Sequence, residues 1–525
     1  MGAVRNVLFI MCDQLRADYL SCMGHKSLQT PHIDALAADG VTFDRAYVQS
    51  PICGPSRMSF YTGRYTFSHG STWNNVPLSV AEWTIGDYLR PLGVRTALAG
   101  KTHMAADIEG MARLAIDPQS ELGVPLSECG FEPYVRDDGL HPTGFVDPDL
   151  AYNAYLRSLG YNDENPWQNL ANSGEGPDGE ILDGWYMRHS SHAARVPEEH
   201  SETAWMTNQA MQFIEQAGDD PWCLHLSYIK PHWPYIVPAP YHDMYGPGDL
   251  QAVHRDPAER DDPHPVYEAF MQNEESQNFQ RDEVRETVIP AYMGLVKQID
   301  DHIGRLTAFL KEQGRFDDTL IVFTSDHGDY LGDHWLGEKD LFHEESVRIP
   351  LIVRDPDTAA DGTRGRRENR LVEAIDLLPT FYDVLGGSEA INHRVEGRSL
   401  APLLRGGEVE GWRDAVFSEM DYAFREPRLF LGLPPDAARI FMVRTDAWKY
   451  LVHEGFRPQL FDLKGDPDEF VDLGESPAHE DVRREMHERL FTWMRRLRTR
   501  TTVSDAKVAG VAGHVKDKGI LIGVW

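Results

Sequence analysis

Residues 7–14 read Val-Leu-Phe-Ile-Met-Cys-Asp-Gln, and residues 320–328 read Leu-Ile-Val-Phe-Thr-Ser-Asp-His-Gly. In both, an unbroken apolar run leads within a few residues into oxygen and nitrogen ligands, Asp13-Gln14 in the first and Asp326-His327 in the second. Apolar runs without polar alternation fit strands covered on both faces, the way strands of a parallel sheet are buried. Residues 96–99, 222–229 and 350–353 fit the same description, while 201–216 and 288–313 carry a helical period. Strand alternating with helix predicts an α/β fold, a mostly parallel sheet flanked by helices. Ligands of such sheets gather at the carboxyl ends of the strands, so the residues just after each run are the first candidates for a site.

Two carboxylates, an imidazole and an amide oxygen delivered to one sheet edge suit Ca²⁺, Mg²⁺ or Mn²⁺. Gly100-Lys101-Thr102-His103 follows the run at 96–99, and Lys230-Pro231-His232 follows the run at 222–229. Cations arriving where carboxylates hold a metal make a positive pocket suited to a tetrahedral oxyanion with charge developing on a leaving oxygen. Cys53-Gly54-Pro55-Ser56-Arg57 precedes the helix-like Met58-Ser-Phe-Tyr61. A cysteine at a helix start lies next to free backbone amides and the positive end of the dipole. The residues by themselves leave three readings open for Cys53: a thiolate nucleophile, an inert buried cysteine, or a site of modification.

With these motifs in place the chain resembles the sulfatases and their relatives the phosphonate monoester hydrolases, within the alkaline-phosphatase-like superfamily. Cys53-x-Pro55-Ser56-Arg57 is similar to the signature whose cysteine is oxidised to formylglycine. Asp13-Gln14, Gly100-Lys101-Thr102-His103, Lys230-Pro231-His232, Ser325-Asp326-His327-Gly328-Asp329 and Gly337-Glu338-Lys339 stand in the family's order, as do 376–380 and 460–466. The resemblance implies that Asp13, Gln14, Asp326, His327 and the modified residue 53 bind one divalent cation, Ca²⁺ or Mn²⁺. It implies that Arg57 holds the modified side chain and its neighbouring anion, and that Lys101 and Lys339 neutralise the transferred group. His103 or His232 would protonate the leaving oxygen, and Asn74, next to Asn75, matches a substrate-contacting position. A formylglycine-generating system is the implied partner. The motifs are mixed: Asp13-Gln14 and Asp326-His327 look like the phosphonate and phosphodiester branch, whereas Lys101 and His103 look like the sulfatase pattern.

The expected activity is therefore metal-dependent hydrolysis of sulfate monoesters, of arylsulfatase type, with side activity on phosphonate and phosphate esters; a phosphonate monoester hydrolase or phosphodiesterase with the same nucleophile is the alternative. A mutase or phosphatase using Ser or Thr on the same fold is disfavoured by Cys53 in its Pro-Ser-Arg context. A catalytically dead binding protein would need an essential group to be missing, and none is.

Composition sets the outer bounds. The 525 residues hold 51 basic and 83 acidic side chains, a net charge of −32, which argues against nucleic acid and anionic membrane as partners. Hydrophobic residues at 41% supply an ample core. Five scattered cysteines (Cys12, Cys22, Cys53, Cys129, Cys223) fit neither a disulfide framework nor a metal knuckle. The early apolar run is too short for a signal core or membrane span, so the chain reads as soluble and cytoplasmic. The domain reading is a catalytic α/β region at 1–387 with insertions at 109–199 and 246–286 serving as substrate walls. A smaller α+β region at 388–498 and a tail at 499–525 follow. Ile520-Leu521-Ile522 and Trp525 make an apolar end that a second copy would cover, so a homo-oligomer is expected. His343-Glu344-Glu345 lacks the second histidine of a zincin helix and reads as a surface charge cluster.

Overall fold

Every residue of the strand Asn6–Asp13 is buried, and its alternate side chains enter two different cores. Val7, Phe9 and Met11 join one; Leu8, Ile10 and Cys12 join the other. This is why the run is apolar without alternation: both faces of the sheet are covered. The computed structural model describes residues 4–525 apart from 148, 515 and 524. The central sheet has eight strands, in the spatial order Arg366–Glu368, Val41–Phe43, Leu351–Arg354, Thr319–Ser325, Asn6–Asp13, Trp222–Pro231, Arg95–Gly100 and Glu132–Arg136. The helices Cys53–Thr62 and Leu377–Val384 supply Met58, Phe60, Leu378 and Phe381 to the first core. The other face is covered by Glu202–Ala217, capped by the Ser201 hydroxyl accepting from the Ala204 amide, and by the long helix Asp282–Glu312.

The run at 350–353 departs from the parallel expectation, because Leu351–Arg354 pairs antiparallel with both of its neighbours. Residues 326–350 stay at the carboxyl end of Thr319–Ser325 as loops broken by the one-turn helices Asp333–Trp335 and Glu344–Val347 and the two-residue strand Arg348–Ile349. A chain re-entering the sheet from that end, without a crossover along its face, has to run antiparallel. The segment at 109–199 is more than wall, since it contributes the edge strand Glu132–Arg136, parallel to Arg95–Gly100.

After residue 388 the chain forms a four-stranded antiparallel sheet from Ala415–Asp421, Arg439–Thr445, Trp448–His453 and Gln459–Asp462. Ile440 and Met442 face the first core, while Phe441 and Val443 pack with Met486, Leu490 and Trp493 of the helix Glu480–Arg496. The small sheet is thus held between the central body and its own helix. His343-Glu344-Glu345 is not a surface cluster. His343 is buried and stacks on His334 at 3.9 Å, Glu344 pairs with Lys449 at 3.1 Å, and Glu345 faces His334 at 3.5 Å. Charges so placed lose water and find partners on the small sheet and the adjoining loops. Ile520, Leu521, Ile522 and Trp525 are exposed. Among the described residues no helix is long and apolar enough to cross a membrane.

Candidate active site

Cys12 and Ser325 are register partners on adjacent parallel strands, so the residues that follow them emerge side by side at the same sheet edge. Asp13 and Asp326 arrive there together, and the helix Cys53–Thr62 points its first residue at them. One donor atom from each of Asp13, Cys53, Asp326 and His327 lies within 4.8 Å of the others, and all four residues are buried. Cys53 Sγ is 3.0 Å from His327 Nε2 and 3.7 Å from Asp13 Oδ1. The His327 Nδ1 nitrogen bonds the Gly328 carbonyl at 2.8 Å, which places the proton on Nδ1 and leaves the Nε2 lone pair facing the cluster. Two carboxylates and an imidazole lone pair suit a hard divalent cation, and Gln14, which follows Asp13 and donates its backbone amide to Asp326 Oδ1 at 3.0 Å, adds an amide oxygen of the same hard character.

Arg57, one helical turn after Cys53, ties the carboxylates together. Its Nε donates to Asp326 Oδ2 at 2.8 Å, one terminal nitrogen reaches Asp13 Oδ2 at 3.3 Å, and the other donates to the Lys101 carbonyl and Ser227 Oγ, both at 2.7 Å. Its role here is to grip the two acids that flank residue 53. Lys101 Nζ stands 2.5 Å from Asp13 Oδ2, and Lys339 Nζ donates to Gln14 Oε1 at 3.0 Å and pairs with Glu338 at 2.9 Å. His103 is partly exposed, with its Nδ1 buried and unpartnered, and the Asp138 carboxylate accepts from the His103 and Thr102 amides at 2.9 and 3.1 Å. His232 Nδ1 bonds the Trp233 carbonyl at 2.7 Å. Of the adjacent pair Asn74 and Asn75, Asn74 meets the helix start: its Oδ1 accepts from the Gly54 amide at 2.7 Å, while Asn75 is exposed. Lys230 is turned away from this cluster, donating to Asn172 Oδ1 and the Pro234 carbonyl, both at 2.8 Å.

The electrostatics follow from burial with unequal compensation. Burial opposes the charge of Asp13, yet Lys101, His232 and Arg57 hold its acid well below the usual carboxylate range. Burial, and then Asp13, push the Cys53 thiol up to about 12, so the unmodified side chain stays protonated near neutrality. His103 and His232 are both lowered, chiefly by burial, with Lys101 adding to each. Both imidazoles are therefore neutral until a proton is driven onto them.

Sequence reasoning missed three groups that build this site. Ser227, on the strand Trp222–Pro231, fixes Arg57. Asp138 positions the loop that carries His103, and it follows the edge strand Glu132–Arg136, so the rule of reading residues just after strands would have found it had 132–136 been read as one. Asp329 sits in a quoted motif without a stated role, because only the folded chain shows what it touches.

Residues 332–496 match the C-terminal family of N-sulphoglucosamine sulphohydrolase. A multifunctional alkaline phosphatase superfamily protein of Trinickia caryophylli is 32% identical over 523 residues, covering 93% of this chain and 95% of that protein. An arylsulfatase of Clostridium perfringens is 26% identical, covering 91% of each. The solved phosphonate monoester hydrolase of Silicibacter pomeroyi superposes with a TM-score of 0.81 at 29% identity, covering 96% of this chain and 98% of that one. Residues 5–387, which carry every group gathered above, match the sulfatase family from the first strand to the helix behind the site, and the chain belongs to that family.

Proposed function

We propose that the protein hydrolyses singly charged sulfate monoesters, of aryl type, through a formylglycine derived from Cys53. The observation that carries this reading is the convergence of Asp13, Cys53, Asp326 and His327 within 4.8 Å, flanked by the buried cations Lys101 and Lys339. A divalent cation held by these ligands and Gln14 would supply positive charge beside the nucleophile; Ca²⁺ and Mn²⁺ both suit the donors. Hydrated formylglycine would supply one hydroxyl to attack sulfur, the proton it releases passing to a neutral imidazole, and His103 or His232, once protonated in this way, would deliver a proton to the departing ester oxygen. Collapse of the remaining hydroxyl to the aldehyde would then break the carbon–oxygen bond to sulfate, releasing it without a second attack on sulfur. Arg57 holds Asp13 and Asp326 in place, while Lys101 and Lys339 offset charge on the transferred group. Asn74 stands beside residue 53, where it can touch the substrate.

A second reading, a phosphonate monoester hydrolase with the same nucleophile, is favoured by the Silicibacter pomeroyi structure and by the Asp13-Gln14 and Asp326-His327 pairs. Sulfate monoesters, phosphonate monoesters and phosphate diesters each bring about one negative charge, so charge does not rank them; leaving-group geometry does. One purified sample assayed on an aryl sulfate, an aryl phosphonate monoester, a phosphate diester and a phosphate monoester decides. The expected order places the aryl sulfate first in kcat/KM, and each tenfold gap corresponds to about 1.36 kcal/mol of transition-state preference. A phosphonate preference of more than tenfold replaces the first reading with the second.

A further inference from the structure

Gln14 is the ligand in this cluster with two chemically different ends, and its environment leaves one orientation. On one side Lys339 Nζ, a donor with no lone pair to offer, reaches Gln14 Oε1 at 3.0 Å. On the other, Gln14 Nε2 donates to Asp329 Oδ2 at 2.5 Å. Asp329 is fully buried and saturated with donors: Tyr235 Oη gives to the same oxygen at 2.9 Å, and the Leu331 amide gives to Oδ1 at 2.9 Å. An amide rotated by half a turn would set its NH₂ against the Lys339 ammonium and its carbonyl against the Asp329 carboxylate, two repulsions in a dry site. The backbone adds to the constraint. Gln14 has φ 65°, its amide donates to Asp326 Oδ1 at 3.0 Å, and its carbonyl accepts from Tyr292 Oη at 2.8 Å, so the side chain has little freedom to choose another path.

We infer that Asp329 is a positioning residue for the cation site: by accepting from Gln14 Nε2 it turns Gln14 Oε1 toward the cation. Asp329 touches neither substrate nor the reacting atoms. Its work is to make an amide behave as an oxygen ligand, which a Glu at position 14 would be without help but at the cost of another formal charge beside Asp13 and Asp326. The inference rests on the metal-binding part of the reading above, and its test is arranged so that the two fail differently.

Metal-stripped protein is titrated with Mn²⁺ by isothermal calorimetry in four forms: parent, Asp329→Asn, Gln14→Glu and the double variant. An Asn at 329 offers a donor as well as an acceptor and leaves Lys339 alone to hold the orientation of Gln14, so Asp329→Asn is expected to weaken Mn²⁺ binding about 10-fold, the low end of the range typical of groups that orient a ligand. In the Gln14→Glu background both ends of the side chain are oxygens, and the same Asp329→Asn change is expected to cost less than twofold. Equal losses in the two backgrounds, or no loss in either, overturn the proposal. Should Asp329→Asn not fold, as judged by thermal unfolding of the metal-free protein, Asp329→Ser takes its place in the same cycle. If the parent itself binds no Mn²⁺ and no Ca²⁺, the metal reading fails first, and the orientation proposal falls with it.

Discussion

Two regions of this molecule bury charge, and they do so to opposite ends. At the carboxyl edge of the central sheet, Asp13, Cys53, Asp326 and His327 are each under a tenth exposed and bring one atom apiece within 4.8 Å of the others, with buried Lys101 and Lys339 beside them. Where the small C-terminal sheet meets the body, Lys449 is just as buried, yet its Nζ is spent on Glu469 at 2.7 Å, Glu344 at 3.1 Å and the Phe342 carbonyl at 2.8 Å. Burial opposes the charge of Glu344, but Lys449, Arg444 and Arg348 hold its acid down at about 2. Arg413 is likewise committed to Asp376 and Glu373. Buried charge alone does not mark a site. What separates the two regions is convergence: the first gathers two carboxylates, a thiol and an imidazole lone pair around a common point, while the second uses ion pairs such as Lys449 with Glu344 and Glu469 to join two bodies.

The difference can be broken by removing one member from each region. Cys53→Ala is expected to abolish nearly all turnover while thermal unfolding stays within about 2 °C of the parent, because the nucleophile is lost and a small side chain remains. Full activity in protein whose Cys53 peptide carries only intact thiol by mass analysis contradicts the assignment. Next in size is His103→Ala, expected to lower kcat/KM for an unactivated phenyl sulfate by about 10²–10⁴-fold and for a nitrophenyl sulfate much less, since a poor leaving group needs the proton in the transition state. Equal losses on both substrates move the acid role to His232.

Lys449→Met should do the reverse. Breaking a buried ion network strands Glu469 and leaves Glu344 to Arg444 and Arg348, and about 3 kcal/mol of stability is expected to go, read as a lower midpoint in denaturant, with kcat/KM of the folded enzyme within twofold of the parent. A large kinetic loss with unchanged stability would erase the contrast between the regions. The smallest effect sharpens the same point through pH. Burial, with Glu396 adding, pushes the Glu419 acid up to about 8. An unfolded Glu ionises near about 4.3, so the folded state holds its proton longer. The stability tied to that proton is full below the unfolded value and is lost as pH rises toward the folded one. Glu419→Gln removes the penalty and is expected to raise Tm by about 2 °C at pH 9 and by nothing measurable at pH 4, where both states are protonated. Gains of the same size at both pH values would show packing and not charge to be the cause.

How much of this was legible in the chain varies with the range of the interaction. The strands at 7–11, 96–99, 222–229 and 320–323, and the helices near 201–216 and 288–313, follow from local pattern, and the structure places each within a few residues. The antiparallel return at 351–354 was not legible, because strand direction depends on where the connecting chain travels and not on the residues in the strand. The strand at 132–136, Glu-Pro-Tyr-Val-Arg, was hidden by its proline and charged ends, features that suit a sheet edge and blur the pattern. His343-Glu344-Glu345 looked exposed because charge normally is; its partners, His334 and Lys449, include one 105 residues further on, beyond any local pattern.

The chemistry of the site belongs to the first category more than the second. Which residue types follow each strand, and that they would meet, came from one physical rule: parallel strands deliver their carboxyl ends to a common edge. Asp13, Asp326 and His327 needed nothing more, whereas Cys53, at a helix start, took its role from the resemblance to the sulfatase signature. Tertiary structure alone decided orientation. That Arg57 spends itself on two carboxylates, that Asn74 and not Asn75 meets the helix start, that Lys230 turns away while Lys339 turns in, and that Asp329 selects the oxygen of Gln14 are choices between rotations. Sequence sets which atoms a residue has. Which of them faces inward depends on donors and acceptors brought from hundreds of residues away, and in a buried site each mismatched pair costs enough that one arrangement remains.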